Sequence, residues 1–488
     1  MEGKALTNNK NTSNSAQSGW PILTWASFLL LFIGTLFVVF GFPFGPIAIA
    51  VLIILIFFAY RATYITFYSA IFFSMFLGLT VSIPTGTLTI GERAFGGSID
   101  IFFGEVLLLA VLTVWMIKVF LLWFKRRDVN WRPYLPIIKS YSLFTFAHLI
   151  TIFSSYGPDP ILIGKFVLRP VVFSYVAFIA LPANLIRSER RLKAVFGVLT
   201  LIGILAAING FASLLDVEPY TWAVRRAHPI PIFGINPIGD NHNLLAEILV
   251  MIAPISFALA LISKKIKTQY FLYGATLFQL LAALLTFART AWIVFAFQIA
   301  FLLLTVWRPL IKKYLTLIIG AIIIMLPLAV YQIQFSFSPT AQSSNSTRWM
   351  LTDIAIQAFL EHPIIGGGAG TYIWRVGNAS VFVLEFGYPL DAHGFIQKLM
   401  AETGAFGVLS YLIVIASGIY LSYKILPRLN EREQKICCLL SASAAGAVIY
   451  QLANTTYWTA HLWLPMGILF AALKIYSDKN KRQTDTFQ

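Results

Sequence analysis

Two residues carry the types and surroundings from which chemistry can be argued first. Arg289 lies in LLTFARTAW between two apolar runs, with no acidic neighbour in sequence. A guanidinium at a membrane edge must face a polar cavity or a lipid phosphate, because hydrocarbon does not tolerate it alone. Its planar fork suits phosphate oxygens; the alternative is a side chain that snorkels to the interface. His393 lies in PLDAHGFIQKLMAETGAFG, two residues after Asp391. A neutral imidazole accepts a proton from a hydroxyl, and a nearby carboxylate can fix its tautomer, which makes Asp391 a candidate orienting group. The competing reading is a histidine held for packing.

Other polar residues stand close to apolar runs. The stretch DVEPYTWAVRRAHPIPIFGINPIGDN, residues 216 to 241, holds Arg225, Arg226 and His228. Arg348, in STRWMLTDIA, is either a residue of a helix start capped by Ser346 or Thr347 or a further phosphate ligand. The run EHPIIGGGAGTY from Glu361 to Tyr372 offers backbone N–H groups to an anion. It lacks the Gly-Lys-Ser/Thr ending of a P-loop, so it reads first as a tight turn. Glu105, Lys118 and Glu247 fall inside apolar runs, where a charge is a functional candidate by default. Glu105 near a span end can simply meet the interface, Glu247 can equally hydrogen-bond another helix, and His148 reads as a helix contact. The two cysteines, Cys437 and Cys438, are neighbours and give no disulfide framework. With no Asp-rich or Cys/His cluster, neither a metal nor another cofactor is expected.

The elements that must position these residues follow from composition. Of 488 residues 58% are apolar and 11% charged, with a mean hydropathy of +0.78, which excludes an ordinary soluble enzyme. Apolar runs of span length recur throughout, so the expected fold is an all-α polytopic membrane protein of about twelve to fourteen transmembrane helices. Candidate spans fall at 21–40, 44–60, 64–83, 101–123, 134–155, 167–186, 194–215, 242–262, 270–287, 291–307, 314–333, 404–423, 436–454 and 460–476. The organisation is then a disordered cytoplasmic tail (1–20), about eleven spans (21–333), a large external loop (334–403), C-terminal spans (404–476) and a cytoplasmic tail (477–488). The first run lacks a small-residue cleavage site and reads as a retained anchor.

The net charge of +16 tests that layout. With the N-terminus inside, about 26 of the 36 Lys/Arg fall on the cytoplasmic side, as the positive-inside rule requires. The charge is largely a topology signal, and nucleic-acid binding loses its main support. The loop at 334–403 is long enough to need a function or its own fold. Trp349, Ile354, Ile356 and Phe359 recur at near-helical spacing before the break at His362-Pro363, so a folded cap over a membrane cavity is expected.

Taken together, three segments resemble the bacterial O-antigen ligase and Wzy-type polysaccharide polymerase superfamily. They are FARTAW around Arg289, STRWMLTDIAIQAFLEHPIIGGGAGTY from Ser346 to Tyr372, and DAHGFIQKLMAETGAFG with Gly404 and Gly407 after His393. The similarity spans roughly residues 280 to 425, with weaker support from the INP and NHN segment near 235 to 243. Members usually carry Asn, Ser or Gln directly after the histidine, where this chain has Gly394. The resemblance implies a membrane glycosyltransferase of cell-surface polysaccharide (exopolysaccharide or lipopolysaccharide) biosynthesis. His393 would act as general base or orienting group on an acceptor hydroxyl. Arg289 would bind the diphosphate of an undecaprenyl-diphosphate-linked glycan donor, assisted by Arg225, Arg226 or Arg348. Transfer would be inverting and metal-independent, to a glycan or lipid-linked acceptor, at the external face of the cytoplasmic membrane, with both termini inside. Membrane lipids and other polysaccharide-assembly proteins are the expected partners. Polymerisation is preferred over ligation to lipid A core, and a flippase of the same lipid-linked glycan is the alternative from another class.

Overall fold

The computed structural model describes residues 45–486 except 85–87, 91–92, 96–97, 126–132, 156–162, 216–225, 380, 383–389 and most of 309–338. The expected tail at 1–20, the span at 21–40, Arg225 and more than half of the span at 314–333 lie outside the described residues.

Helices α1 (Gly45–Arg61) and α2 (Thr63–Ser74) are followed by four short strands. Strand β1 (Thr80–Pro84) pairs antiparallel with β4 (Ser98–Phe102), and β2 (Leu88–Ile90) with β3 (Arg93–Phe95). One expectation is corrected here. The span placed at 64–83 ends at Ser74, and four short strands stand inside an otherwise helical chain. The physical reason is the β-branched and polar alternation of TVSIP, LTI and SIDIF, punctuated by Pro84 and glycines, which suits short paired strands better than a span.

Beyond the strands the chain is helical: α3 (Phe103–Lys125), α4 (Ile138–Leu149), α5 (Gly164–Leu185), α6 (Glu189–Ser213), α7 (His242–Ile262), α8 (Ile266–Leu285) and α9 (Arg289–Thr305). The C-terminal part holds α10 (Pro339–Glu361), α11 (Thr371–Asn378), α12 (Phe395–Ile425), α13 (Glu431–Tyr450) and α14 (Ala460–Thr486). Among the described residues seven helices are long and apolar enough to cross a membrane, so the twelve to fourteen expected are not reached there. Helix α9 is a shorter apolar helix, and α4 stops at Leu149 within the span placed at 134–155. Helix α5 is π-helical over Gly164–Phe173 and Tyr175–Ala180, and Pro170 inside it lacks an N–H to donate. Helix α14 continues to Thr486, through the stretch expected to be a tail.

Helix α7 is the centre of the bundle. Its apolar window is 89% buried, and it packs on α6, α8 and α13. Pro254 cannot donate to the carbonyl of Val250, which would be costly in an apolar interior. The Gln298 amide donates there instead (3.2 Å) and also to Ala442 O (3.0 Å), while the Ser443 hydroxyl donates to Met251 O (2.6 Å). These bonds tie α7 to α9 and α13. Glu105 is likewise satisfied within the protein: Arg169 donates to it through Nη2 (2.8 Å) and Nε (3.1 Å), and the guanidinium lies over the rings of Phe102 and Trp458. Lys118 donates to the Thr63 hydroxyl, and His148 is buried against Phe144, a helix contact as expected.

The segment from α10 to the start of α12 folds on a small core of its own. Leu351, Ala355, Ala358, Tyr372, Val376 and Phe382 are buried together. Helix α10 ends at Glu361, before His362-Pro363, at the expected break. It begins at Pro339, however, so Arg348 sits inside the helix and neither Ser346 nor Thr347 caps it. The glycine run docks this unit on α12. Gly367 N and Gly368 N donate to the carbonyls of Ala401 and Glu402, and Ala405 N and Phe406 N donate back to Pro363 and Ile364. The exchange is possible because α12 is interrupted at Gly404 (φ 63°). Those amides are spent on backbone carbonyls, which favours the turn reading of the run over an anion cradle.

In the glycine run backbone approach is tight at Gly366, where φ is +74° and an added Cβ would lie 2.3 Å from the backbone of Glu402. Gly366→Ala is therefore expected to lower unfolding stability by about 1–3 kcal/mol, read as a drop in the thermal midpoint in detergent. Gly274→Ala, where a Cβ meets nothing within 4 Å, should leave the midpoint unchanged or raise it.

Candidate functional site

Three helix N-termini provide the frame. Helix α7 starts at His242, α9 at Arg289 and α12 at Phe395, two residues after His393. Each end carries the partial positive charge of a helix start, a setting that favours anions. Arg348 on α10 brings these ends together: its charge is felt by both His242 and His393, and it feels that of Arg289.

The arginines are held by neutral acceptors. Arg289 Nη2 donates to Asn345 Oδ1 (2.8 Å), and Arg226 Nη1 lies 3.2 Å from His242 Nε2, which accepts from it. Since the guanidinium has only donors, this bond fixes His242 as an imidazole with a free lone pair on Nε2. His228 faces the Arg226 carbonyl through Nδ1 (3.1 Å). The Nε–H of Arg348 is buried without a hydrogen-bond partner. Among the described residues no carboxylate pairs with Arg289 or Arg348. Burial first, then the Arg289 charge, holds the proton affinity of Arg348 below the usual arginine value.

His393 sits half-buried in the turn before α12. Its neighbours on both sides are anchored: the Thr455 hydroxyl donates to Ala392 O (2.9 Å), and Phe395 N donates to Gln451 O (2.8 Å). An added Cβ at Gly394 would lie 2.7 Å from Leu452 O, so the close approach of this loop accounts for a glycine after the histidine. Asp391 takes no part in orienting the ring by a hydrogen bond. Both its oxygens accept from Lys398 Nζ (2.9 and 2.8 Å), and Oδ1 also accepts from Ala392 N. Asp391 acts on His393 only through its charge. Burial first, and the Arg348 charge second, lower the His393 pKa below the usual histidine value, with Asp391 opposing. The ring is therefore neutral, and able to accept a proton, down to a pH below the ordinary histidine range.

Arg226, Arg289, Arg348 and His393 thus share one end of the bundle, while Arg225 lies outside the described residues. Sequence reasoning missed Asn345, His242 as the acceptor for Arg226, and Lys398 as the partner that withdraws Asp391. It also left Glu247 without a role. The polar run QLANTT between two apolar stretches was the available signal, since it supplies the loop that anchors His393. Chemically, a neutral base beside several guanidiniums can take a proton from a hydroxyl while negative charge develops on a phosphate-bearing leaving group.

Residues 274–412 match the family described as O-antigen ligase. The match takes in Arg289, Arg348 and His393, and it supports the O-antigen ligase and Wzy-type superfamily read from the sequence motifs. It supports a membrane glycan-processing function of the O-antigen ligase or polymerase type in a multi-pass membrane protein. No curated protein matches the chain.

The geometry gives a direct expectation for His393. Its modification by diethyl pyrocarbonate, followed by mass spectrometry across a pH series, should show a midpoint below the ordinary value of about 6.5. Arg348→Gln removes a neighbouring positive charge and should move that midpoint upward. A midpoint that does not respond would separate the two groups.

Proposed function

We propose that the chain is a glycosyltransferase that joins lipid-diphosphate-linked glycan units, as a polymerase in preference to a ligase, at the external face of the cytoplasmic membrane. The observation that carries this reading is a neutral His393 under the charge of Arg348, which is itself under that of Arg289, all three within the stretch that matches the O-antigen ligase family, while Arg226 is bonded to His242, which also feels Arg348. His393 accepts the proton of the acceptor hydroxyl. The acceptor oxygen attacks the anomeric carbon with inversion, and the bond to the diphosphate breaks with its electron pair leaving on oxygen. The arginines stabilise that charge in the place of a metal ion, and the N-termini of α7, α9 and α12 add to the field. Undecaprenyl diphosphate fits the leaving group, and a growing glycan on the same lipid fits the acceptor. Lys398 serves by keeping the Asp391 carboxylate off the cationic site.

The test is reconstitution of the full chain in nanodiscs with lipid-linked repeat units. Chain growth with release of the lipid diphosphate is expected. Growth only when lipid A core is added would make the enzyme a ligase, and passage of repeat units across a bilayer without a new glycosidic bond would make it a flippase. His393→Ala should cost on the order of 10²–10⁴-fold in turnover. Arg289→Ala should cost on the order of 10²–10³-fold, and Arg289→Lys should recover only part, because it keeps the charge and loses the fork. Intact activity in both alanine variants would refute the site.

A further inference from the structure

Glu247 is fully buried in α7, one turn below His242. A carboxylate there is costly unless every lone pair has a partner. Its partners come from one short loop. Gln451 Nε2 donates to Oε1 (2.8 Å), the Thr456 hydroxyl donates to the same oxygen, and Asn454 Nδ2 donates to Oε2 (2.6 Å). The ring of His461 closes the remaining side, with Nδ1 3.6 Å from Oε1 while Nε2 faces Met75 O at 3.1 Å. The loop from Gln451 to Thr456 is thus wrapped around a single carboxylate.

The other face of that loop holds His393. Gln451 gives its side chain to Glu247 and its carbonyl to Phe395 N. Asn454 gives its amide N–H to Glu247 and its Oδ1 to Thr455 N (3.0 Å), and the Thr455 hydroxyl reaches Ala392 O. Two hydrogen-bonded routes therefore run from the carboxylate to the backbone on either side of the histidine. A third tie reaches α7 beside this loop, where the Tyr450 hydroxyl donates to Asn243 O (2.8 Å), but it bypasses the carboxylate.

We infer that Glu247 is a positioning residue for His393, fixing the 451–456 loop so that the imidazole is held in line with the acceptor hydroxyl. The inference rests on the proposed role of His393 and concerns turnover rather than donor binding, since Glu247 touches none of the arginines.

Glu247→Gln keeps the shape and turns one acceptor into a donor, set against either Gln451 and Thr456 or Asn454. In the nanodisc assay kcat should fall about 10–100-fold, by the cost of sub-ångström misplacement of a reacting group, with KM for the lipid-linked donor within about twofold. Thr455→Val cuts only the bond to Ala392 O and should lower kcat several-fold, again with KM unchanged. The two effects should combine to no more than Glu247→Gln alone, because they act in one network. The exchange Glu247→Gln with Gln451→Glu restores a donor facing an acceptor and should recover much of the lost kcat. Hydrogen exchange gives a readout apart from activity: the Phe395 amide should exchange faster in Glu247→Gln. If His393→Ala is inactive while Glu247→Gln and Thr455→Val turn over like wild type with unchanged Phe395 exchange, the role of Glu247 is overturned and the proposed function stands. If His393→Ala keeps full activity, the reading of His393 fails and the positioning role with it. Should Glu247→Gln not fold, Thr455→Val and the exchanged pair still decide: wild-type kcat in the first and no activity in the second overturn the inference.

Discussion

Arg289 and Arg348 repel each other in a setting that is partly stripped of water. Like charges in such a setting raise the free energy of the folded state, and among the described residues no carboxylate pairs with either guanidinium. The nearest acidic group in sequence to His393, Asp391, is occupied by Lys398, a side chain only 5% exposed. The arginines lean on Asn345 and His242, which accept hydrogen bonds without contributing charge. Positive potential is in this way kept at the helix ends, where a carboxylate partner would have cancelled it. Everything that surrounds the site has to hold such groups together against their own repulsion.

That duty falls on apolar packing and on bonds between neutral groups. Helix α7 is buried nearly throughout and is tied to α9 and α13 through Gln298 and Ser443, so the starts of α7 and α9 cannot drift apart. Helix α10 brings Arg348 to the site from the unit with its own small core. It is held by the exchange of backbone hydrogen bonds between the glycine run and α12, and by Gln397, which donates to the Thr352 hydroxyl one turn beyond Arg348 (2.8 Å). The glycines matter here as places where two backbones can meet.

The sequence made the helical, membrane-spanning class legible because hydropathy and the charge bias of the loops are summed over many residues. Individual spans were less so. Over 80–102 a local β pattern overrode the apolar average, and Pro170 shifted α5 into π-helical turns. Arg289, Arg348 and His393 were legible because each lies in a polar interruption of an apolar stretch. Their hydrogen-bond partners were not, since Asn345, His242 and Lys398 become partners only once the helices are packed. Asp391 shows the limit of spacing as an argument. Two residues from the histidine, its carboxylate still found a stronger partner one helical turn into α12.

In the proposed reaction the same charges link proton transfer to bond cleavage. A diphosphate diester carries two negative charges, and the departing lipid diphosphate carries a third, so the arginines bind the leaving group more strongly than the donor. Before the donor binds, Arg348 depresses the basicity of His393, and the two charges of the bound donor offset part of that effect. As negative charge builds on the diphosphate beside Arg348, that depression is relieved, and the imidazole becomes a better base while the acceptor oxygen is losing its proton. Departure of the lipid diphosphate then restores the field of Arg348, which expels the proton from His393. The arrangement couples base strength to the progress of the bond it serves, and it depends on Arg289 and Arg348 having no carboxylate partner among the described residues.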